Sequence, residues 1–339
     1  MWKAGFKWMF LIIGSMIGAG YASGRELWQF FGHGSSMAIL LFTILFSVSC
    51  YIILSISFQH QTSHYVPVLR IIVGKHLTGL YDMLILFYLF TTTVIMIAGS
   101  GATLEAYHFN YWFGIAAIAI PIILTFVWDI DGILSINSLI LPLLILGLSY
   151  VLILFIMQQD LSLTSHFHEQ QNWMAAFPFT ALNIIPLIAV LGAIGNHIEK
   201  KGEIWVASVG SGLVLGIITY IYNNSLIQIS EDILLYEIPL FAILKHYPYK
   251  MFLFMTILLW IAIFTTALSC LFGLISRIRE RVSLPLWMLA FMMTIFMVPF
   301  TSFGFANLIK YLYPIYGILN LYALSAVFVY PIMNRYKIE

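Results

Sequence analysis

The chain has few charged residues, and this scarcity determines its class. Only 9% of its 339 residues are Asp, Glu, Lys or Arg, whereas 62% are hydrophobic. Ordinary soluble domains have about 25% charged and roughly 45 to 50% apolar residues. A soluble fold cannot bury this much apolar surface, so soluble domains and soluble enzymes are excluded. The formal net charge of +1 also argues against a nucleic-acid partner.

Motifs for redox or catalytic chemistry are also lacking. The two cysteines, Cys50 and Cys270, lie in apolar runs, and we interpret them as packing residues rather than a disulfide. The sequence has no G-x-x-x-x-G-K-[ST] loop for a nucleotide-driven pump, and no H-E-x-x-H or G-x-S-x-G motif for a membrane enzyme. His166 and His168 form an H-x-H pair with only Glu169 beside it. We therefore expect no enzyme, no catalytic residues and no transition-metal site.

Long apolar runs are abundant. A bilayer core about 30 Å thick requires around 20 helical residues per crossing. The start of the chain counts as a span because no signal-peptide cleavage site follows it. The sequence predicts an all-α integral membrane protein in which residues 1–339 form a single polytopic domain. The ten predicted spans are 4–31, 36–58, 80–105, 110–128, 134–157, 175–198, 203–227, 249–276, 284–301 and 304–330.

The basic residues predict the orientation of these spans. With a cytoplasmic N-terminus, only Lys245 and Lys250 lie outside. The cytoplasmic set is Lys3, Lys7, Arg70, Lys75, Lys200, Lys201, Arg277, Arg279, Arg281, Arg335 and Lys337. This bias predicts a plasma-membrane protein with both termini in the cytoplasm, whose basic clusters contact lipid headgroups. Residues 230–247 should form an external helix, either interfacial or acting as a lid.

Two predicted spans, the first and the sixth, contain helix-breaking residues. The first has Gly14, Gly18, Gly20 and Gly24, and glycine costs about 1 kcal/mol per residue in a helix. In the sixth, Pro186 lacks the N–H that would bond the carbonyl four residues earlier. Glycine spacing of this kind also permits close helix packing without a break. Interruptions in helices one and six of ten are nevertheless typical of inverted five-helix repeats, which bind ligands at the breaks.

The same segments resemble a known family. The run IGSMIGAGYASGRE at residues 13–26 is similar to the first helix of the YkvI-type amino acid permeases of bacteria. Residues 263–267, 307–310 and 313–314 extend the resemblance to helices eight and ten. This group is placed in the amino acid-polyamine-organocation (APC) superfamily, which shares the LeuT fold. The resemblance implies a 5+5 inverted repeat, with one repeat at about 4–157 and the other at about 175–330, and discontinuous helices 1 and 6.

The resemblance also implies a sodium site between helices one and eight. Sodium-coupled members of the fold hold the ion with carbonyl oxygens of the broken helix and with oxygens of helix eight. The matching positions here are Gly14, Ile17, Ala262, Thr265 and Thr266. Alternatively, the threonine hydroxyls bond back to carbonyls of their own helix. We expect no cofactor other than Na⁺ or H⁺ as the coupling ion.

A substrate site is implied at the breaks of helices one and six. Free backbone N–H groups there would bind an anionic group of the solute. No acidic side chain follows directly on the helix-one break, which favours a ligand that brings its own carboxylate. The candidate substrate-binding residues are Gly18, Ala19, Gly20, Tyr21, Thr180 and Asn183.

Three charged residues lie within the predicted spans, where an unpaired charge is costly. Arg25 and Glu26 follow the break, and in a regular helix they would lie about 9 Å nearer the outside. Lys310 lies in the outer part of helix ten. A Glu26–Lys310 pair could close an external gate, or Glu26 could carry the coupling proton. Alternatively, Arg25 and Glu26 interact locally and Lys310 extends to the surface.

These features predict a secondary active transporter of a small amino-acid-like or organic solute. It would work by alternating access, as an ion-coupled symporter or permease. The alternative is a ligand-sensing receptor subunit that retains the transporter fold without sustained transport. A membrane-embedded enzyme ranks third.

Overall fold

The described part of the protein contains helices and connecting turns, without a β-strand. The computed structural model describes residues 2–127, 131–158 (131–141 as backbone only), 170–279, 282 and 284–333. The helices are α1 (Trp2–Met16), α2 (Ala19–Ala22), α3 (Arg25–Phe30), α4 (Ser36–Gln59), α5 (Tyr65–Val73), α6 (Lys75–Glu105), α7 (Tyr111–Val127), α8 (Asp131–Gln158), α9 (Ala176–Leu191), α10 (Lys201–Gln228), α11 (Ser230–Ile233), α12 (Pro239–Leu244), α13 (Tyr249–Arg279), α14 (Leu286–Met297), α15 (Phe305–Leu319) and α16 (Leu321–Met333). Short 3₁₀ turns are Trp173–Ala175, Gly195–His197 and Val298–Phe303.

Several of these helices, alone or joined to a neighbour, are long enough to cross a bilayer. Within the described ranges, seven helical segments have the length and apolar composition of membrane spans, and 111–127 and 142–158 are shorter apolar helices. Together with the segmented helix of residues 2–30, they occupy the positions of the ten predicted spans. The chain is a multi-pass, all-α membrane protein, as predicted. His166 and His168 lie outside the described residues.

The first span is broken twice. After α1 ends at Met16, Gly18 adopts an extended conformation (φ −84°, ψ −178°), and α2 begins at the next residue. Gly24 then adopts a left-handed conformation (φ 78°) between α2 and α3. This conformation costs an L-residue about 1–2 kcal/mol, whereas glycine adopts it freely. The predicted interruption of helix one is therefore present, at Gly18 and again at Gly24, while Gly20 remains helical.

The sixth span is not interrupted at its proline. Helix α9 runs without a break from Ala176 to Leu191 with Pro186 inside it. The polar side chains stay with their own helix: Thr180 donates to the Ala176 carbonyl at 2.7 Å, and Asn183 donates to the Phe179 carbonyl at 2.9 Å. Membrane helices tolerate proline where neighbouring groups satisfy the backbone carbonyl that it leaves free. The interruption predicted at Pro186 is therefore absent, and within the predicted span 175–198 the helix instead ends at Leu191, before the 3₁₀ turn Gly195–His197.

The broken helix lies at the centre of the bundle. Helix α1 packs against α9 and α10, α3 packs against α10 and α15, and α13 packs against α2. The predicted external segment contributes to the same centre, because every residue of α12 is buried. The Leu240 N–H of α12 donates to the Ser23 carbonyl at 2.9 Å. Helix α12 is therefore buried against the second break, at Ser23 and Gly24, rather than exposed, although Leu234 and Leu235 before it are exposed.

Candidate functional site

The turn at Gly24 directs an acidic side chain back to the helix break. Side chains in a helix tilt toward its N-terminus, so Glu26 in the first turn of α3 points toward α2. A Cβ atom at Gly20 would lie only 3.0 Å from Glu26 Oε2. The expectation that no acidic group lies beside the break is therefore wrong. It assumed a regular helix after the break, whereas the left-handed Gly24 interrupts the helix between α2 and α3.

Glu26 is surrounded by groups from three other helices. Its side chain is 6% exposed, and the Asn183 side chain of α9 hydrogen-bonds to it. The Tyr313 hydroxyl of α15 would lie 3.2 Å from the same Cβ position at Gly20. Tyr88 of α6 also lies close enough to interact electrostatically with the carboxylate. We call Gly20, Glu26, Asn183, Tyr313 and Tyr88 the Glu26 cluster.

The candidate substrate residues divide into two groups around this cluster. Gly20 and Asn183 belong to it, and Gly18 adjoins open space because a Cβ there would meet nothing within 4 Å. By contrast, the Tyr21 hydroxyl interacts with that of Thr219 on α10 at 2.8 Å. Thr180 is fully buried and bonded within α9, and Ala19 is a buried residue of α2. Tyr21 and Thr180 therefore support the site rather than line it.

Among the candidate sodium residues, Thr265 shows the alternative of a hydroxyl bonded within its own helix, and the ion site itself stays a prediction. The Gly18 N–H donates to the Met16 carbonyl at 2.9 Å. In a continuous helix it would donate to the Gly14 carbonyl instead. On α13, which packs against α2, the Thr265 hydroxyl bonds back to the Ala262 carbonyl at 3.2 Å. Ile17 and Ala262 are buried and Thr266 is half-buried. Neutral oxygens of this kind suit a monovalent cation. Whether one binds here remains a prediction.

A second acidic residue, which the sequence did not indicate, meets Arg25. Glu237 lies between α11 and α12, and its Oε2 accepts the Phe305 N–H at the start of α15 at 2.9 Å. Gly304 (φ 81°) makes this approach possible, since its Cβ would lie 2.8 Å from Glu237 Oε1. Arg25 interacts electrostatically with Glu237, and its Nε is buried without a hydrogen-bond partner. We call Arg25, Glu237, Gly304 and Phe305 the Glu237 latch.

The Glu26–Lys310 pair is not formed. Among the described residues, the ion pairs are Lys245–Asp232 and Arg277–Asp82. Lys310 is exposed, with its Nζ 5.6 Å from the centre of the Tyr311 ring. Because of the Gly24 turn, Glu26 points to the centre of the bundle, and Arg25 faces Glu237 instead. Lys310 therefore lies at the surface, as in the alternative, and the opposite charges that interact here are those of Arg25 and Glu237.

Burial changes the protonation of the latch. It raises the pKa of Glu237 above the usual range of a glutamate, although the backbone amides of Phe305 and Ala306 and the charge of Arg25 act in the opposite direction. Glu105 repels the carboxylate and raises the pKa further. The folded protein therefore holds a proton on Glu237 more tightly than the unfolded chain does.

This shift predicts a pH-dependent stability difference. A raised pKa in the folded state means that the contribution of Glu237 to stability is largest in acid and falls as the pH rises from about 4.5 through the folded-state value. Glu237→Gln removes this titration, so its melting temperature relative to the wild type should increase between pH 4 and pH 8. Thermal unfolding in detergent measures the difference, with the exposed Glu231→Gln as the matched control. A difference that is constant or decreases with pH would contradict the assignment.

Comparisons with known proteins agree with this architecture. The chain is 49% identical over 337 residues to the uncharacterized protein YyaD of Bacillus subtilis, covering 99% of this chain and 100% of that protein. It is 23% identical over 329 residues to the uncharacterized membrane protein YkvI of the same organism, covering 94% and 93%. No family model matches the chain.

Solved structures show the same fold at low sequence identity. Mhp1 in its inward-facing conformation matches with a TM-score of 0.62 at 14% identity, covering 98% of this chain and 77% of that one. A manganese transporter of Eremococcus coleocola matches with a TM-score of 0.59 at 12% identity, covering 94% and 77%. Closed Mhp1, a nucleobase-cation-symport-1 family transporter with bromovinylhydantoin bound, matches at 0.52 and 13% identity, covering 94% and 70%. The chain therefore has the fold of LeuT-type transporters.

Proposed function

Because the chain belongs to the family of the Bacillus subtilis protein YyaD and has the fold of LeuT-type transporters, we propose that it is a secondary active transporter of a small amino-acid-like or organic solute. The observation that carries the proposal is the doubly broken first helix. Its break faces a buried polar cluster built from α3, α6, α9 and α15. Buried polar groups in a membrane protein are costly unless they serve a ligand or one another.

The solute would bind between the α1–α2 break and the Glu26 cluster. The open space beside Gly18 gives it room, and the first N–H groups of α2 follow at Ala19 and Gly20. Asn183 supplies a polar side chain from α9. Tyr21 and Thr180 would act indirectly, by holding α2 and α9 in place.

The coupling ion would bind between α1 and α13. The Gly14 carbonyl, to which the Gly18 amide does not bond, would coordinate the ion together with the Ile17 carbonyl. The other ligands would come from α13: the Ala262 carbonyl and the hydroxyls of Thr265 and Thr266. Sodium binding there would stabilise the arrangement of the broken helix on which the solute depends. Such a linkage couples the two binding events without direct contact between ion and solute.

Alternating access would require α12 to move. Helix α12 is attached to the second break by the Leu240–Ser23 hydrogen bond, and the segment just before it is attached to α15 by the Glu237 latch. Opening on this side would release both attachments while the Glu26 cluster stays near the midplane. Arg25 and Glu237 thus take the gating role in the proposed cycle.

Uptake into proteoliposomes tests the transporter proposal. Vesicles containing the purified protein are assayed with a panel of labelled amino acids under a sodium gradient, under a proton gradient and with neither. Accumulation that depends on a gradient is the expected result. Ligand binding without accumulation under either gradient would overturn transport and favour the sensor alternative.

Replacing a proposed sodium ligand tests the ion site. Thr265→Val keeps the shape of the side chain and removes a hydroxyl, so the sodium concentration for half-maximal uptake should rise about tenfold or more. Thr256→Val on the same helix is the matched control, because Thr256 bonds Tyr107 and the Phe252 carbonyl instead. The same sodium dependence in the wild type and Thr265→Val would remove the site.

A further inference from the structure

The buried carboxylate of Glu26 lacks a positive partner. Arg25 faces Glu237, Lys310 is exposed, and the two ion pairs among the described residues involve neither Glu26 nor its neighbours. An ionised carboxylate taken out of water costs several kcal/mol unless a counter-charge and hydrogen bonds compensate it. Asn183 supplies a hydrogen bond but no charge. The Glu26 carboxyl group therefore either holds a proton or binds a cation supplied by a ligand.

We propose that Glu26 binds the ammonium group of the transported solute, so that the protein takes small primary amines and zwitterionic amino acids and rejects simple carboxylates. This inference rests on the proposed transport function and specifies the substrate class of the same site. The sequence predicted a ligand that brings its own carboxylate, and the proposal adds an ammonium group bound by Glu26.

The surroundings of Glu26 suit an ammonium group. The carboxylate approaches the backbone of α2 at Gly20, where any side chain would displace it. The Tyr313 hydroxyl and the Asn183 amide oxygen are neutral groups able to accept hydrogen bonds from an ammonium. Tyr88 and Tyr313 add aromatic rings near the charge, and aromatic rings attract ammonium groups.

The rest of the solute would extend toward Gly18. Gly18, two residues before Gly20, is half-buried and adjoins open space. A solute whose ammonium group contacts Glu26 can place the rest of its structure beside Gly18. The carboxylate of a zwitterionic solute would lie on this open side, away from the Glu26 carboxylate.

A matched ligand series tests the charge preference. Purified protein is screened by thermal shift against glycine, alanine, leucine and phenylalanine, against the amines left by removing their carboxylates, and against the acids left by removing their amino groups. A ligand that binds only the folded state raises the melting temperature. Amine-bearing compounds of at least one size should stabilise the protein, and the deaminated acids should not. Stabilisation by the acids alone, or by no amine, would overturn the proposal.

Glu26→Gln tests the residue itself. Loss of the charge should weaken binding of the stabilising amine roughly 30-fold or more. Glu203→Gln is the matched control. Glu203 is also buried, but it accepts a hydrogen bond from Trp8 in the middle of α1. Binding by Glu26→Gln at wild-type affinity, with a loss only of the pH dependence of uptake, would assign Glu26 to the coupling proton and overturn the proposal.

Two further measurements keep the test decisive. If Glu26→Gln does not fold, Glu26→Asp retains the charge and should bind the same amines more weakly. An unchanged affinity in that variant would count against the proposal, because the shorter side chain withdraws the charge from Gly20. Binding is measured in detergent without a gradient, so a failure here is distinguishable from a failure of gradient-driven uptake.

Discussion

Gly24→Ala is expected to abolish ligand binding and to lower the melting temperature of the protein. Alanine at φ 78° is strained by about 1–2 kcal/mol, and its Cβ would lie 2.6 Å from the Tyr222 hydroxyl. Tyr222 cannot easily yield, because it is fully buried and donates to the Ala22 carbonyl at 3.0 Å. Strain and overpacking together should cost about 3 kcal/mol.

The loss of binding follows from the position of Glu26. Relief of the clash would rotate α3 relative to α2 and withdraw the carboxylate from Gly20. Gly32→Ala is the matched control, since Gly32 also has a positive φ (62°) but a Cβ there would meet only the Trp28 carbonyl oxygen, at 3.8 Å. Thermal unfolding and thermal-shift binding are measured for both variants. Wild-type ligand binding in Gly24→Ala would show that the turn does not position the carboxylate.

Gly195→Ala is expected to lower the stability of the protein strongly without acting on the ligand site. A Cβ at Gly195 would overlap the backbone carbonyl of Ser57 at the end of α4. The same junction is tied by hydrogen bonds from Ser57 Oγ to the Leu191 carbonyl at 2.8 Å and from Thr62 Oγ1 to the Gly192 carbonyl at 2.7 Å. A backbone held this way cannot rotate away as a flexible side chain can.

The expected cost is about 3 kcal/mol, at the upper end of the usual range for overpacking. The measurement is thermal unfolding in detergent together with the yield of monodisperse protein. Gly79→Ala in α6 is the matched control, because a Cβ there meets nothing within 4 Å and alanine favours a helix by up to about 1 kcal/mol. Equal melting temperatures for the two variants would contradict the assignment of Gly195 as a close-packed junction.

The spans and the break in helix one could be predicted from the sequence because both depend on local composition. Apolar runs of membrane length have few alternatives to helix, and a cluster of four glycines weakens a helix wherever it lies. Pro186 misled for a related reason. Its local effect is the loss of one N–H, but whether the helix then opens depends on its neighbours, which the sequence does not show.

The centre of the site was harder to predict. The candidates Gly20, Glu26 and Asn183 do lie together. Glu26 was predicted about two helical turns from the break, because the sequence does not show whether a glycine is left-handed or helical. The contact of Glu237 with the start of α15 was not predicted. A glutamate flanked by apolar residues before Pro239, and Gly304 directly before α15, are the features that could have indicated a carboxylate at a helix start.

The continuity of α9 makes the proposed site chemically asymmetric. The free main-chain groups and the negative charge come from the first 30 residues, whereas the neutral groups of Asn183 and Tyr313 come from the second half of the chain. Changes in the first half would alter the turn and with it the whole site. Selectivity among related solutes can therefore diverge through substitutions in α9 and α15, while the glycine-rich turn stays the same.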